Sequence, residues 1–108
     1  MFYLQFSLDN DRCFEVKLST ADYADEISWN IGSCQSNGGY DDNAEYTQRC
    51  CLKPGTFNLG CRDSAGDGWN GGYIEVNGNR YCDSFTSDHD ETNEIFIEST
   101  GKYFPYFT

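Results

Sequence analysis

Several features that would point to a particular function are missing from this chain of 108 residues. It contains no long run of apolar residues, which excludes a membrane-spanning helix. It has no C-x-x-C pair and a single histidine, so a zinc site is poorly supported. It also lacks a G-x-S-x-G turn, and His89 lies in an acidic segment with no nucleophile beside it. We therefore expect a protein that is neither an enzyme nor inserted in a membrane.

Basic residues are also scarce. Seven lysines and arginines stand against 18 aspartates and glutamates, giving a formal net charge of −11. A surface this acidic repels phosphate groups, so nucleic acids and anionic membranes are disfavoured as partners. Cations, mineral surfaces and basic proteins are favoured instead.

Cysteines, in contrast, are plentiful for so short a chain. An even number of cysteines without a metal-binding pattern predicts three disulfides and places the protein in an oxidising, secreted or extracellular compartment. Spacing alone leaves the pairing open. On a strand, adjacent cysteines point to opposite faces and must bond to two different partners. The six predicted disulfide cysteines are Cys13, Cys34, Cys50, Cys51, Cys61 and Cys82.

Alternation of apolar and polar residues recurs along the chain and predicts short strands separated by turns. We expect strands at 2–8, 13–18, 27–31, 47–52, 56–61, 72–76, 79–83, 93–98 and 103–107. A single helical turn fits residues 20–26, and residues 33–43 are predicted to form a long loop. The predicted fold is an all-β, single-domain antiparallel β-sandwich over residues 1–108, jelly-roll-like and stapled by three disulfides.

The loop DSAGDGWNGG, residues 63–72, has a composition suited to holding a cation. Its glycines permit positive φ and a tight backbone, while Asp63, Asp67 and Asn70 provide side-chain oxygens. Calcium prefers about six to eight oxygen ligands from such groups. The alternative is structural, because Asp and Asn often close turns on their own backbone and Trp69 suits a cap on the core.

The EF-hand template does not fit this loop. Ala65 stands where a second acid belongs, Ile74 stands where the closing glutamate belongs, and the flanking segments are predicted strands. A calcium site here therefore needs ligands from a second loop. The acidic candidates for that loop are Asp41, Asp42 and Asp83.

Residues 26–85 resemble a family of secreted cysteine-rich β modules whose shared core is a D-S-x-G-D-G-W-N-G loop between two strands. The resemblance implies an extracellular setting, a recognition or adhesion role and no catalytic activity. Ala65 departs from the pattern, since an aromatic residue commonly stands there. The stretches that carry the resemblance are Glu26-Ile27-Ser28-Trp29, Arg49-Cys50-Cys51-Leu52, Gly55-Thr56-Phe57-Asn58-Leu59, Cys61-Arg62-Asp63-Ser64, Gly66-Asp67-Gly68-Trp69-Asn70-Gly71-Gly72-Tyr73-Ile74 and Tyr81-Cys82.

Two functions fit these observations. In the first, the protein is a calcium-binding structural, adhesion or recognition module with a matrix or cell-surface partner. In the second, it is a lectin-like module in which exposed aromatics, led by Trp69 and Tyr73, stack on a glycan. A buried Trp69 with the loop oxygens pointing at one centre favours the first. Exposure of Trp69 and Tyr73 beside Asp67 and Asn70 favours the second. The other tyrosines that could form a stacking surface are Tyr23, Tyr40 and Tyr46. Separately, the aromatic tail at 103–107 could dock onto a second copy of the chain, so self-association stays open.

Overall fold

Strands occupy about half of residues 11–98, the part of the chain that the computed structural model describes. They pair into two antiparallel four-stranded sheets with the strand orders β4-β1-β6-β7 and β3-β2-β5-β8. The predicted all-β sandwich with three disulfides is thereby confirmed. The eight strands are β1 (Arg12–Ser19), β2 (Ile27–Ile31), β3 (Cys34–Gln35), β4 (Glu45–Leu52), β5 (Gly55–Asp63), β6 (Tyr73–Val76), β7 (Asn79–Tyr81) and β8 (Asp90–Ile97).

Seven of these strands lie where the alternation predicted them, and β3 is an addition. Its two residues pair with Asn30 and Ile31 inside the segment that was predicted to be a loop. Two residues are too few to show a period of two, so alternation could not reveal them. The predicted strands at 2–8 and 103–107 lie outside the described residues, and the jelly-roll connectivity stays a prediction.

The core lies between the two sheets and is filled by every second residue of the longer strands. Val16 and Leu18 of β1 face it from one sheet, and Trp29 and Leu59 face it from the other. This is the arrangement that period-two patterning produces when one face of each sheet is covered. No helix among residues 11–98 is long and apolar enough to cross a membrane.

One disulfide lies within a sheet, and the other two join the two sheets. Cys50 and Cys51 point to opposite faces of β4, as predicted. Cys51 bonds to Cys13, which lies directly opposite in the β1–β4 ladder, and this bridge is exposed. Cys50 bonds to Cys34 of β3 and so joins the two sheets through the core. The third bridge joins Cys61 of β5 to Cys82, just after β7, and is buried.

Strand register brings two connecting segments together at one end of the sandwich. The first is a short 3-10 turn, Ala24–Glu26, which leads into β2. The second is the glycine-rich loop that follows β5. Because Ile27 pairs with Asp63, the residues beside them also meet, and the Ser64 N–H donates to the Glu26 carbonyl at 3.0 Å.

Candidate functional site

Asp63 is an aspartate at a core position. Along β5, Leu59, Cys61 and Asp63 alternate onto the inward face, so the strand that buries two apolar side chains buries a carboxylate as well. Only 1% of its surface is exposed. A carboxylate so deeply buried is strongly disfavoured unless charge or hydrogen bonds compensate it. Asp63 therefore needs partners.

The protein supplies only part of that compensation. One carboxylate oxygen, Oδ2, accepts a hydrogen bond from the Asp67 N–H at 2.7 Å. The other, Oδ1, is buried and has no hydrogen-bond partner among the described residues. No described lysine or arginine forms an ion pair with Asp63 either. One buried oxygen of a core carboxylate thus has no donor unless a neighbouring carboxyl is protonated.

Two more carboxylates surround Asp63. Three carboxylate oxygens lie within 4.8 Å of one another, one each from Glu26, Asp63 and Asp67. Glu26 comes from the 3-10 turn, and its Oε1 is also buried without a partner. Within residues 11–98 this is the one group of three or more acidic, histidine or cysteine side chains close enough to share an ion. We refer to these three residues as the carboxylate cluster.

Mutual repulsion and hydrogen bonding shift the protonation of the cluster. Burial and the neighbouring charges of Asp63 and Asp67 raise the pKa of Glu26. The pKa of Asp67 is also raised, chiefly because its protonated carboxyl donates a hydrogen bond to Asp63. Burial opposes ionisation of Asp63, but that hydrogen bond and the nearby backbone N–H groups outweigh it and lower its pKa. Without a cation, the three groups do not ionise independently.

These shifts predict how stability depends on pH in the absence of metal. Since the pKa values of Glu26 and Asp67 are raised on folding, the folded state holds protons that the unfolded chain has released. In EDTA, we expect the free energy of unfolding to fall as pH rises through those raised pKa values. Urea denaturation across this range measures the slope.

The Glu26→Gln variant serves as the control for this pH dependence. It keeps the shape of the side chain but removes one titrating group of the carboxylate cluster. We expect its stability to vary less with pH than that of the parent, and an unchanged slope would contradict the assigned pKa shifts. The general repulsion within a chain of charge −11 is present in both proteins and drops out of the comparison.

A second loop, between β7 and β8, holds the glycine-rich loop in place. The Trp69 N–H donates to the Phe85 carbonyl at 2.8 Å, and the Asp88 N–H donates to the Gly66 carbonyl at 3.0 Å. Gly68 has φ +79° and approaches the Phe85 backbone so closely that a Cβ atom there would lie 2.2 Å from the carbonyl oxygen. Glycine at position 68 is therefore required by backbone packing, whether or not the loop binds a ligand.

The other predicted metal ligands lie outside the carboxylate cluster. Asp42 accepts a hydrogen bond from the Ala24 N–H at 2.8 Å and so supports the turn that carries Glu26. The backbone of Asp41 bonds to Tyr46 and Thr20. The Asn70 amide donates to the Asp22 carbonyl at 3.2 Å, and Asp83 is exposed after β7. The segment that adds a third carboxylate to Asp63 and Asp67 is instead the 3-10 turn before β2, which ends at Glu26.

The two aromatic residues predicted to bind a glycan are not free to stack on one. Trp69 is only 1% exposed, packs near Phe85 and donates from Nε1 to the Arg62 carbonyl at 2.9 Å. Tyr73 is half-buried, and the Arg80 guanidinium lies 3.9 Å from its ring centroid. Trp69 is a core residue, and its burial favours the cation interpretation over a sugar site at this loop.

Comparison with protein-family models, with curated proteins and with solved structures finds no match to this chain. The function is therefore inferred from the carboxylate cluster, the disulfides and the surrounding surface.

Proposed function

We propose that the protein is an extracellular, non-catalytic calcium-binding module with a structural, adhesion or recognition role, and that the carboxylate cluster holds the ion. The observation that carries this proposal is the buried, unpartnered Oδ1 of Asp63. With all three carboxylates ionised, this core oxygen has no donor and no ion pair among the described residues, and a cation lying against it would supply the missing compensation.

The chemistry and spacing of the carboxylate cluster favour calcium. Its members offer only carboxylate oxygens, the ligands that hard cations prefer, whereas zinc and copper sites usually include histidine or cysteine. Calcium binds oxygens at about 2.3–2.6 Å, so two ligands of one ion lie at most about 5 Å apart. The separations within 4.8 Å meet this condition. Backbone carbonyls and water complete such shells.

The remaining observations support an extracellular module. Three disulfides in a small domain are typical of an oxidising compartment. Weak extracellular calcium sites work at the high calcium concentration outside cells. The resemblance of the loop to secreted cysteine-rich modules favours recognition or adhesion, with a matrix or cell-surface protein or glycan as the partner.

Thermal and urea denaturation in calcium and in EDTA tests this proposal. We expect calcium at a hundredfold excess over Kd to raise the free energy of unfolding by about 2.7 kcal/mol. Asp63→Asn keeps the size of the side chain but removes the charge, and we expect it to abolish the shift. Asp83→Asn removes an exposed charge outside the carboxylate cluster and should leave the shift intact. A calcium shift that survives Asp63→Asn would place the ion elsewhere, and no shift in the parent would reject the proposal.

A further inference from the structure

Tyr23 is the one tyrosine of the predicted stacking surface whose side chain is open to solvent. Tyr40 is buried against Tyr46, with ring centroids 4.7 Å apart, and Tyr73 lies beneath Arg80. Tyr23 is 57% exposed, and its ring contacts no other ring in the described part of the chain. More than half of the surface of this residue is therefore open to a ligand.

The backbone holds Tyr23 in a fixed and unfavourable conformation. Its φ of 62° is in the left-handed region, which non-glycine residues rarely occupy. The surrounding turn is tied down: the Glu26 N–H donates to the Tyr23 carbonyl, and the Asn43 N–H donates to the Ala21 carbonyl, both at 3.1 Å. Asp42 holds the Ala24 N–H. The turn thus fixes the backbone from which the ring projects, which reduces the cost of binding a ligand.

Two asparagine side chains meet the residue beside Tyr23. The Asn43 amide donates to the Asp22 carboxylate at 3.3 Å, and the Asn70 amide donates to the Asp22 carbonyl at 3.2 Å. Each amide has two N–H donors and one oxygen acceptor, and each uses one donor here. Each therefore keeps a donor and an acceptor side by side, and Asp22 keeps its second carboxylate oxygen.

We infer that Tyr23, Asp22, Asn43 and Asn70 form a binding surface for a neutral carbohydrate. The C–H face of a sugar ring packs on an exposed tyrosine, and each sugar hydroxyl both donates and accepts, which matches the two amides and the carboxylate. Sialylated and sulfated glycans are repelled by a chain of charge −11. A basic peptide is the alternative occupant, because its charge would complement Asp22, and it forms a separate arm of the test.

This inference rests on the recognition role proposed above but does not require the ion. It differs from the lectin hypothesis drawn from the sequence, because the stacking residue is Tyr23 on the turn before β2 and not Trp69 in the glycine-rich loop. The two sites lie on the same turn, since the Glu26 N–H donates to the Tyr23 carbonyl, but they share no side chain. Substitutions of Tyr23 therefore test the sugar surface and Asp63→Asn tests the ion site.

The experiment is a glycan array of neutral, sialylated and sulfated oligosaccharides, with a hexa-arginine peptide as a further arm, probed in calcium and in EDTA. We expect binding to neutral glycans alone. For a glycan retained on the array, we expect Tyr23→Ala to weaken binding at least about tenfold and Tyr23→Trp to preserve it. Tyr23→Gly should remove binding without lowering the Tm, because glycine relieves the left-handed strain.

The outcomes test the sugar surface and the calcium site independently. Binding to no neutral glycan, binding to hexa-arginine alone, or binding that survives Tyr23→Ala overturns the inference. Thermal denaturation of the same samples in calcium and in EDTA separates the claim of a sugar surface from the claim of a calcium site. A calcium shift without glycan binding overturns the sugar surface and leaves the calcium site standing. Glycan binding without a calcium shift supports the sugar surface and rejects the calcium site.

Discussion

Gly68→Ala is expected to lower the free energy of unfolding by about 4 kcal/mol or more, which is close to the whole stability of some small domains. The new Cβ would lie 2.2 Å from the Phe85 carbonyl oxygen, a backbone atom that cannot rotate away. Relief requires the two loops to separate, which breaks the hydrogen bond from the Trp69 N–H to the same carbonyl. Alanine at φ +79° adds backbone strain.

Gly71→Ala is the matched control for this prediction. Gly71 lies in the same loop and also has positive φ, +99°, but a Cβ there would meet nothing within 4 Å. Its substitution should cost about 1 kcal/mol through backbone strain alone. Urea denaturation of both variants in saturating calcium measures the difference. Equal losses would show that the contact between the glycine-rich loop and the Phe85 backbone contributes little.

Removal of the Cys61–Cys82 bridge by a double substitution to alanine is expected to cost about 3–5 kcal/mol. The loop-entropy model gives about 3 kcal/mol for a sequence separation of 21, and the loss of two buried sulfur atoms adds to it. The bridge also ties β5, which carries Asp63, to the segment that follows β7. We therefore expect calcium affinity to fall in this variant along with stability.

The exposed Cys13–Cys51 bridge provides the comparison. Loop entropy alone predicts a larger loss here, about 4 kcal/mol, because the sequence separation is 38. Its two residues already lie opposite each other in the β1–β4 ladder, and their replacement leaves no buried cavity. We expect this variant to lose less stability than the Cys61–Cys82 variant. The reverse order in urea denaturation would contradict the role assigned to the buried bridge.

Alternation of apolar and polar residues predicted seven of the eight described strands, because each strand of a sandwich has one buried and one exposed face. The opposite orientations of Cys50 and Cys51 followed from the same geometry. The disulfide partners did not, since they depend on which strands become neighbours. The order β4-β1-β6-β7 places β1 between strands that are distant in sequence, and no local pattern encodes that choice.

Only part of the carboxylate cluster could be predicted from the sequence, because its third member depends on which strands pair. Asp63 and Asp67 lie in one recognisable loop, and that loop was expected to need a second acidic segment. Glu26 was not among the predicted ligands, although it ends the acidic stretch 22–26. Its position depends on the pairing of Ile27 with Asp63, a contact across 36 residues that only the β2–β5 register reveals. Burial of Trp69 depends in the same way on the loop that carries Phe85.

Direct titration of calcium into metal-free protein tests the central claim most sharply. Isothermal calorimetry on the EDTA-treated and dialysed chain is predicted to show a single ion bound. Protons are released on binding at pH values where Glu26 or Asp67 still carries one, because bound calcium lowers their raised pKa values. Asp63→Asn and Glu26→Gln are predicted to abolish that binding, while Asp83→Asn leaves it unchanged. The absence of binding in the parent, or unaltered binding in Asp63→Asn, would contradict a calcium site at the carboxylate cluster.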